Sequence, residues 1–514
     1  MNGAQALLQT LVNCGVEVCF TNPGTSEMHF VAAVDKVPGM RTVLGLFEGV
    51  CTGAADGYAR MTGKPATTLL HLGPGLGNGL ANLHNARRAN SPVVNIVGDH
   101  ATYHLQYDAP LTSDIVSIAK GVSGWIKSCP DAASVPAIAA EAVAASLLPP
   151  GQIATLILPA DTAWNESTAP VTMPLPSPAR TVAEERVAQI AQILRSGEAT
   201  VLVIGGAALT ARGQLLAARI AEGCGARVMS QRLIARQARG AGLPIIEQIP
   251  YPVPDAVKLL AGTRHLILAG SKEPVGFFAY PNLPSRIAPP DCQIHTLAAE
   301  DEAVLAALEA LAEAVHAPQH VRHLQPSARP ALPDGELTID KVWRSVAAQM
   351  PEASILVDEA VTAAGRAFEW MAGAPPHDTL NSTGGSIGQG IPVATGAAIA
   401  CPDRRVINMQ ADGSAMYTLQ ALWTQARERL DVVTLIFNNR AYRILQGELK
   451  RVGAEAPGPK ALRMLDLSDP TLDFVKLAEA MGVPAAKVTT TDDLNRRLQD
   501  ALEQRGPALI EVMV

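Results

Sequence analysis

The stretch VINMQADGSAMYTLQALWTQARERLDVVTLIFNNRAY runs from residue 406 to residue 442. Val406 to Gln410 reads as a short buried strand, Met416 to Leu430 repeats apolar residues at helical spacing, and Val432 to Phe437 reads as a second buried strand. A strand, a helix and a strand in that order make a right-handed crossover between parallel strands. Both strands then end on the same edge of the sheet, which brings Asp412 and Asn439 near each other. A carboxylate and an amide oxygen are hard donors that suit magnesium or calcium, and magnesium leaves positions for water and phosphate oxygens. Ser414 and the amides at the helix start can face an anion. The stretch therefore reads as a cradle for a metal-bound phosphate group. A plainer reading, with Asp412 as a helix cap and Asn438-Asn439 as a turn, fits the spacing equally well.

A chain of 514 residues is expected to form two to four domains, because single cores stop growing at roughly 250 to 300 residues. Hydrophobic residues make up 48% and charged residues 17%, which suits a large buried α/β protein rather than a disordered one. The formal net charge of -7 and the lack of a long basic run argue against a nucleic-acid partner. Seven cysteines are scattered without a Cys-x-x-Cys pair and read as reduced, mostly buried small hydrophobes. The start MNGAQALLQTLVNCGVEVCF has no basic lead and no cleavable apolar core, and reads as an amphipathic helix entering a strand. No uninterrupted apolar run approaches the roughly 18 to 20 residues that a bilayer span needs. These features predict a cytoplasmic protein with no membrane partner.

Two Pro-rich stretches, 165–182 and 316–335, read as linkers. They set off a first segment at 1–165, a central one at 183–315 and a last one at 336–514. Each segment alternates apolar β-rich runs with helical patterns, so the predicted class is α/β, with three parallel-sheet units. The turn in LLHLGPGLGNGLANL carries glycines at 73, 75, 77 and 79. It misses the dinucleotide fingerprint, because Asn78 stands where the third glycine belongs.

Five stretches taken together resemble one family: CFTNPGTSEMHF (19–30), GLFEGVCTGAADGYARMTGKP (45–65), LLHLGPGLGNGLANLHNARRANSPVVNIVGD (69–99), STGGSIGQGIPVATGAAIA (382–400) and ADGSAMYTLQALWTQARERLDVVTLIFNNRAY (411–442). They look like the thiamine-diphosphate-dependent 2-oxo acid decarboxylase and acetohydroxyacid (acetolactate) synthase superfamily, with similarity also to benzoylformate decarboxylase. The resemblance implies a pyrimidine-binding domain at 1–165, a central Rossmann-like domain at 183–315 and a diphosphate-binding domain at 336–514. It also implies a homo-oligomer, at least a dimer and often a tetramer, because the family holds its cofactor between two subunits.

The same resemblance assigns roles. Glu48 matches the glutamate that hydrogen-bonds the cofactor's pyrimidine and helps remove the thiazolium proton. Its plain alternative is a helix-start carboxylate favoured by the dipole. Ile387 matches the bulky residue that bends the cofactor, and Gly385 and Gly388 would let the backbone approach its rings. Asp412 and Asn439, with the main-chain oxygen of Ala441, would hold magnesium. Gly413, Ser414, Ala415, Thr362 and Tyr442 would line the diphosphate end. Pro23, Gly24, Thr25 and Asn78 would lie on the pyrimidine side, and Thr25 matches a substrate-side serine. The usual Gly-Asp-Gly is here Ala411-Asp412-Gly413, tolerable if Ala411 keeps a negative φ.

His71 matches an active-site histidine of the benzoylformate decarboxylase branch, although a lone histidine at a strand end is also a common structural residue. That branch's second histidine has no counterpart in GSKEPVGFFAYPN. The segment 98–115, with His100, His104, Tyr107 and Asp108, reads either as a substrate approach or as a solvated loop. Ile444, Leu445 and Glu448 are pocket candidates. The absence of an Arg-Phe-Asp-Asp-Arg-type motif argues against FAD. The expected reaction is decarboxylation of a small pyruvate-like 2-oxo acid with carboligation. Simple decarboxylation is the second reading, and a cofactor-binding homologue without turnover is the third.

Overall fold

Short aliphatic runs such as TVLVI (Thr200–Ile204) and VVTLIFN (Val432–Asn438) are buried along their whole length, as parallel strands covered by helices on both faces require. The computed structural model describes residues 1–173, 177–454 and 456–514. Part of the linker expected at 165–182 therefore lies outside the described residues, at 174–176. The strands form three sheets. The first is wholly parallel, in the order Arg41–Leu44, Val18–Thr21, Ala66–Leu70, Val93–Asp99, Ile153–Pro159, Trp125–Ser128. The second is also parallel, in the order Glu247–Gln248, Arg227–Ser230, Thr200–Ile204, His265–Ala269, Gln293–Ala298.

The third sheet runs Ala485–Val488, Ala508–Met513, Val432–Asn438, Val406–Ala411, Ile355–Glu359, His377–Asn381, Gln237–Arg239. Its last strand comes from the central segment and lies antiparallel to His377–Asn381. The third sheet is thus closed at one edge by the second segment's chain.

The helix expected over Met416 to Leu430 is shorter and broken. One turn at Asp412–Ala415 is followed by a helix at Ala421–Glu428, which ends where Arg429 turns left-handed at φ 54. Tertiary bonding explains the gap, since the Thr418 hydroxyl donates to the carbonyl of Gly388 at 2.7 Å. The first and third segments meet through helices Glu48–Thr62 and Gly390–Ala400. A Cβ on Gly57 would lie 2.2 Å from the Val393 carbonyl oxygen, and one on Gly396 would lie 1.9 Å from that of Ala54. Only glycine permits that approach. Among the described residues no helix is long and apolar enough to cross a membrane.

Candidate active site

Parallel strands deliver their following loops to one edge. In the first sheet, Pro23, Gly24 and Thr25 follow Val18–Thr21, Glu48 follows Arg41–Leu44, and His71 follows Ala66–Leu70. These three strands are neighbours. Glu48 is buried in the first turn of its helix, where the dipole favours a carboxylate. Its Oε2 accepts from Asn78 Nδ2 at 3.0 Å.

His71 has a partner that sequence reasoning missed. Glu27 is buried, and its Oε2 lies 2.8 Å from His71 Nδ1 and accepts from the Gly24 N–H at 2.9 Å. The Ser26 hydroxyl donates to the other carboxylate oxygen. An ionised carboxylate only accepts, so Nδ1 carries the proton and Nε2 is left for chemistry. Gly24 is required by packing, since a Cβ there would lie 2.1 Å from His71 Nδ1. The available signal for Glu27 was its place as third residue of the short turn Thr25–Glu27, reaching back to the turn's first amide. Along the same edge, the rings of His100 and His104 are 5.5 Å apart and those of His104 and Tyr107 5.7 Å apart. Tyr107 is 69% exposed, so this segment is a surface row in the single chain.

On the third sheet, Asp412 and Asn439 follow adjacent strands, as their spacing predicts. Asp412 is 2% exposed, and its Oδ2 accepts from the amides of Asn439 at 3.1 Å and Arg440 at 2.7 Å. Burial pushes its carboxyl above the usual range. Asn439 Oδ1 accepts from the Ala441 amide at 3.0 Å. Ala411 has φ -84, so the alanine that replaces the usual glycine sits in ordinary extended backbone. Gly413, Ser414 and Ala415 are buried beside it. The Tyr442 ring closes over Gly413, where a Cβ would lie 2.4 Å from its Cε1.

Ile387 sits on a turn built for it. Gly385 and Gly388 have φ of +77 and +92, a left-handed region that explains both glycines without reference to a bound ring. The Glu359 carboxylate, fully buried, accepts from the amides of Gly388, Gln389 and Gly390 at 3.0, 3.1 and 2.8 Å. The first segment grips the turn from its other side. Asn85 Nδ2 donates to the Ser386 carbonyl at 2.8 Å, His84 Nε2 to that of Gly384 at 3.1 Å, and Asn82 Nδ2 to that of Gly388 at 3.4 Å. Arg60, ion-paired with Asp56, donates to the Asn381 carbonyl at 2.8 Å and to Thr383 Oγ1 at 3.0 Å.

Thr362, Gly385, Ile387 and Tyr442 line a cavity of about 1080 Å³ between the central and last segments. Ile444, Leu445 and Glu448 line it as well. Glu448 is already engaged, by the hydroxyls of Tyr251 at 3.2 Å and Tyr280 at 2.8 Å and by Arg451. Phe277, from the segment without the second histidine, packs on the turn, where a Cβ on Gly385 would lie 2.6 Å from its Cζ. Glu48 and His71 are not among the residues lining this cavity. Their side chains face Asn78 and Glu27, and Asp412, Asn439 and Ser414 are likewise outside the lining of this cavity.

The donor chemistry fits the groups that the family implies. Asp412, Asn439 and the Ala441 carbonyl offer only oxygen atoms, the set that magnesium prefers. No Lys or Arg side chain neutralises Asp412 among the described residues. The left-handed turn that carries Ile387 opens into a cavity large enough for an extended cofactor.

Comparison with known proteins shows the family. The family described as "Thiamine pyrophosphate enzyme, N-terminal TPP binding domain" matches residues 1–121, and its C-terminal TPP binding domain matches residues 362–512. The chain is 54% identical over 515 residues to a Mycobacterium tuberculosis protein named "Putative acetolactate synthase large subunit IlvX", covering 100% of this chain and 99% of the relative. It is 29% identical to benzoylformate decarboxylase of Pseudomonas aeruginosa, over 97% of this chain and 96% of that protein. Among solved structures, the 4-hydroxybenzoylformate decarboxylase of Rhodococcus jostii RHA1 superposes with a TM-score of 0.86 at 27% identity, over 100% of this chain and 99% of that one. The chain therefore belongs to the thiamine-diphosphate-dependent enzyme family that includes acetolactate synthase large subunits and benzoylformate decarboxylases.

Proposed function

We propose that the protein decarboxylates pyruvate or a similar small 2-oxo acid with thiamine diphosphate and magnesium, then joins the remaining fragment to a second 2-oxo acid, in the manner of an acetolactate synthase. The observation that carries this reading is the aromatic wall of Phe277 and Phe278 beside the Ile387 turn. These rings have no proton to give, which disfavours release of an aldehyde beside them and leaves another oxo acid as the partner.

Bound thiamine diphosphate supplies a nucleophilic carbon and an electron sink for decarboxylation. Asp412, Asn439 and the Ala441 carbonyl would hold the magnesium ion. Ser414, the Ala415 amide and the Thr362 hydroxyl would hold the phosphate oxygens, and Ile387 would support the bend. Glu48 is the carboxylate for the pyrimidine. Because the family holds its cofactor between two subunits, the reading calls for a second copy, hence a dimer or a tetramer built from dimers. Seven free cysteines support a reducing, cytoplasmic setting.

Simple decarboxylation is the second reading, and the Glu27–His71 pair favours it, since His71 Nε2 is positioned to move a proton. Purified protein incubated with pyruvate, magnesium and thiamine diphosphate separates the two. Acetolactate is the expected product, acetaldehyde alone would establish the second reading, and silence across a panel of 2-oxo acids would leave a cofactor-binding homologue without turnover.

A further inference from the structure

The strand His377–Asn381 has one face that its own chain leaves unfinished. His377, Thr379 and Asn381 alternate along it, and all three line the large cavity together with Ser382. His377 Nε2, Thr379 Oγ1, Asn381 Oδ1 and Ser382 Oγ are buried without a hydrogen-bond partner among the described residues. His377 and Thr379 are 5% and 3% exposed, too deep for bulk water to satisfy them. Four orphaned polar atoms in a row are rare in a folded chain and point to a polar occupant. The opposite face of the strand shows no such deficit, for Asp378 is paired with Arg236 at 2.8 Å and Arg404 at 2.7 Å.

Across from this row the cavity presents two arginines of the central segment. Arg239 lies in register with His377, and among the described residues its side chain donates only to Gln237 Oε1, at 3.2 and 3.0 Å. Arg232 lines the same wing with no hydrogen bond or ion pair among the described residues. Among the described residues the one buried carboxylate that acts on both is Asp358, which already accepts from the Ala360 amide at 3.1 Å and from Asn381 Nδ2 at 3.2 Å. Two cations therefore face one anion. The cavity's other arginines, Arg366 and Arg451, are matched by Glu369 and Glu448. Burial depresses both unmatched guanidiniums, Arg239 to about 10, yet leaves them charged at neutral pH. The wing is also separate from the phosphate cradle, because three strand spacings, about 14 Å, lie between Gln237–Arg239 and the strand that carries Asp412.

We propose that this wing is an anion subsite in which Arg232 and Arg239 hold a carboxylate at the far end of a substrate, so that one of the two 2-oxo acids joined is dicarboxylic. Guanidinium groups match carboxylates in planar, two-pronged fashion, and the orphaned Thr379 and Ser382 hydroxyls can donate further hydrogen bonds, whereas His377 Nε2, its Nδ1 facing the Pro375 carbonyl at 2.8 Å, only accepts. The assignment of the substrate rests on reading this cavity as the 2-oxo acid site.

Calorimetry on the purified full chain without cofactor tests the subsite by itself, using glutarate, butyrate and inorganic phosphate. Glutarate is expected to bind at least about tenfold tighter than butyrate. Arg232→Ala should erase that preference and Arg232→Lys should retain part of it, with unchanged melting temperatures showing that both variants fold. Equal binding of glutarate and butyrate, or of neither, would mean that water alone fills the wing and overturns the proposal. Phosphate binding without glutarate binding overturns the dicarboxylic assignment. With cofactor and magnesium added, pyruvate plus 2-oxoglutarate should be consumed at least about tenfold faster than pyruvate alone. If no 2-oxo acid is consumed while glutarate still binds, the reaction reading fails and the subsite stands; if pyruvate alone is consumed as fast and Arg232→Ala changes nothing, the subsite fails and the reaction reading stands.

Discussion

The carboxyl edge of the first sheet presents Glu48, Glu27 and His71, whereas the same edge of the third presents Asp412, Asn439 and a glycine-flanked Ile387. The first sheet is parallel throughout and the third is parallel apart from Gln237–Arg239, and both edges carry a non-glycine residue held left-handed next to a candidate site residue. Leu72, beside His71, has φ 50, and Val361, beside Thr362, has φ 53. Such conformations cost about 1 to 3 kcal/mol each and persist only where the surroundings impose them. The contrast lies in what is already satisfied. Proton-handling groups work only in a fixed tautomer and orientation, so the first edge pairs its own residues. The third sheet instead meets, beside the Ile387 turn, a cavity with unspent polar atoms along His377–Asn381.

This division is open to attack at four points. Glu48→Gln should lower product formation by at least about 100-fold, because a positioned acid–base group supplies 10²–10⁴-fold. Its thermal midpoint should hold, since the amide oxygen still accepts from Asn78; undiminished turnover would remove the first edge from the chemistry. The third sheet holds its own histidine neutral, and burial brings His377 down to about 4. The unfolded chain, titrating near 6.5, takes up that proton first. Stability should therefore fall as pH drops from 6.5 to 4, by about 3 kcal/mol. Melting curves across that window should show the fall, and His377→Gln should flatten it. Asp412→Ala should abolish the stabilisation that magnesium and thiamine diphosphate confer together, about 2.7 kcal/mol at a hundredfold excess over Kd. A thermal shift that survives both this change and chelation would dissolve the idea of a gripping edge. The smallest effect is expected for Glu27→Gln, about tenfold in kcat, or about 1.4 kcal/mol. A displaced pH–rate profile, rather than a changed KM, would mark Glu27 as the residue that positions His71.

The α/β class and the meeting of Asp412 with Asn439 were legible because they depend on local periodicity and on one handedness rule, whereas Glu48 and His71 were singled out by the family resemblance. Gly385 and Gly388 were legible as special positions, and their left-handed φ adds a requirement that the expected approach to the cofactor's rings did not include. The contacts that finish the turn were not legible. Asn85 and Ser386 are 301 positions apart, and no pattern in either stretch announces the bond between them. The break in the helix after Ala415 has the same origin, a tertiary bond from Thr418 overriding periodicity. Gln237–Arg239 is three residues long, too short for an alternation to register, so the crossing of the central segment into the third sheet was invisible. Arg232 gave no signal because its meaning lies in the partner that it lacks.

The fastening of the Ile387 turn by Asn82, His84, Asn85 and Arg60 limits how such a protein can be rearranged. Severing the chain between 316 and 335 would free a piece that still possesses Asp412 and Asn439 but has lost the struts that aim its isoleucine. Recombination could transplant the phosphate grip by itself; the posture imposed on whatever that grip holds is heritable only when both ends of the polypeptide travel together.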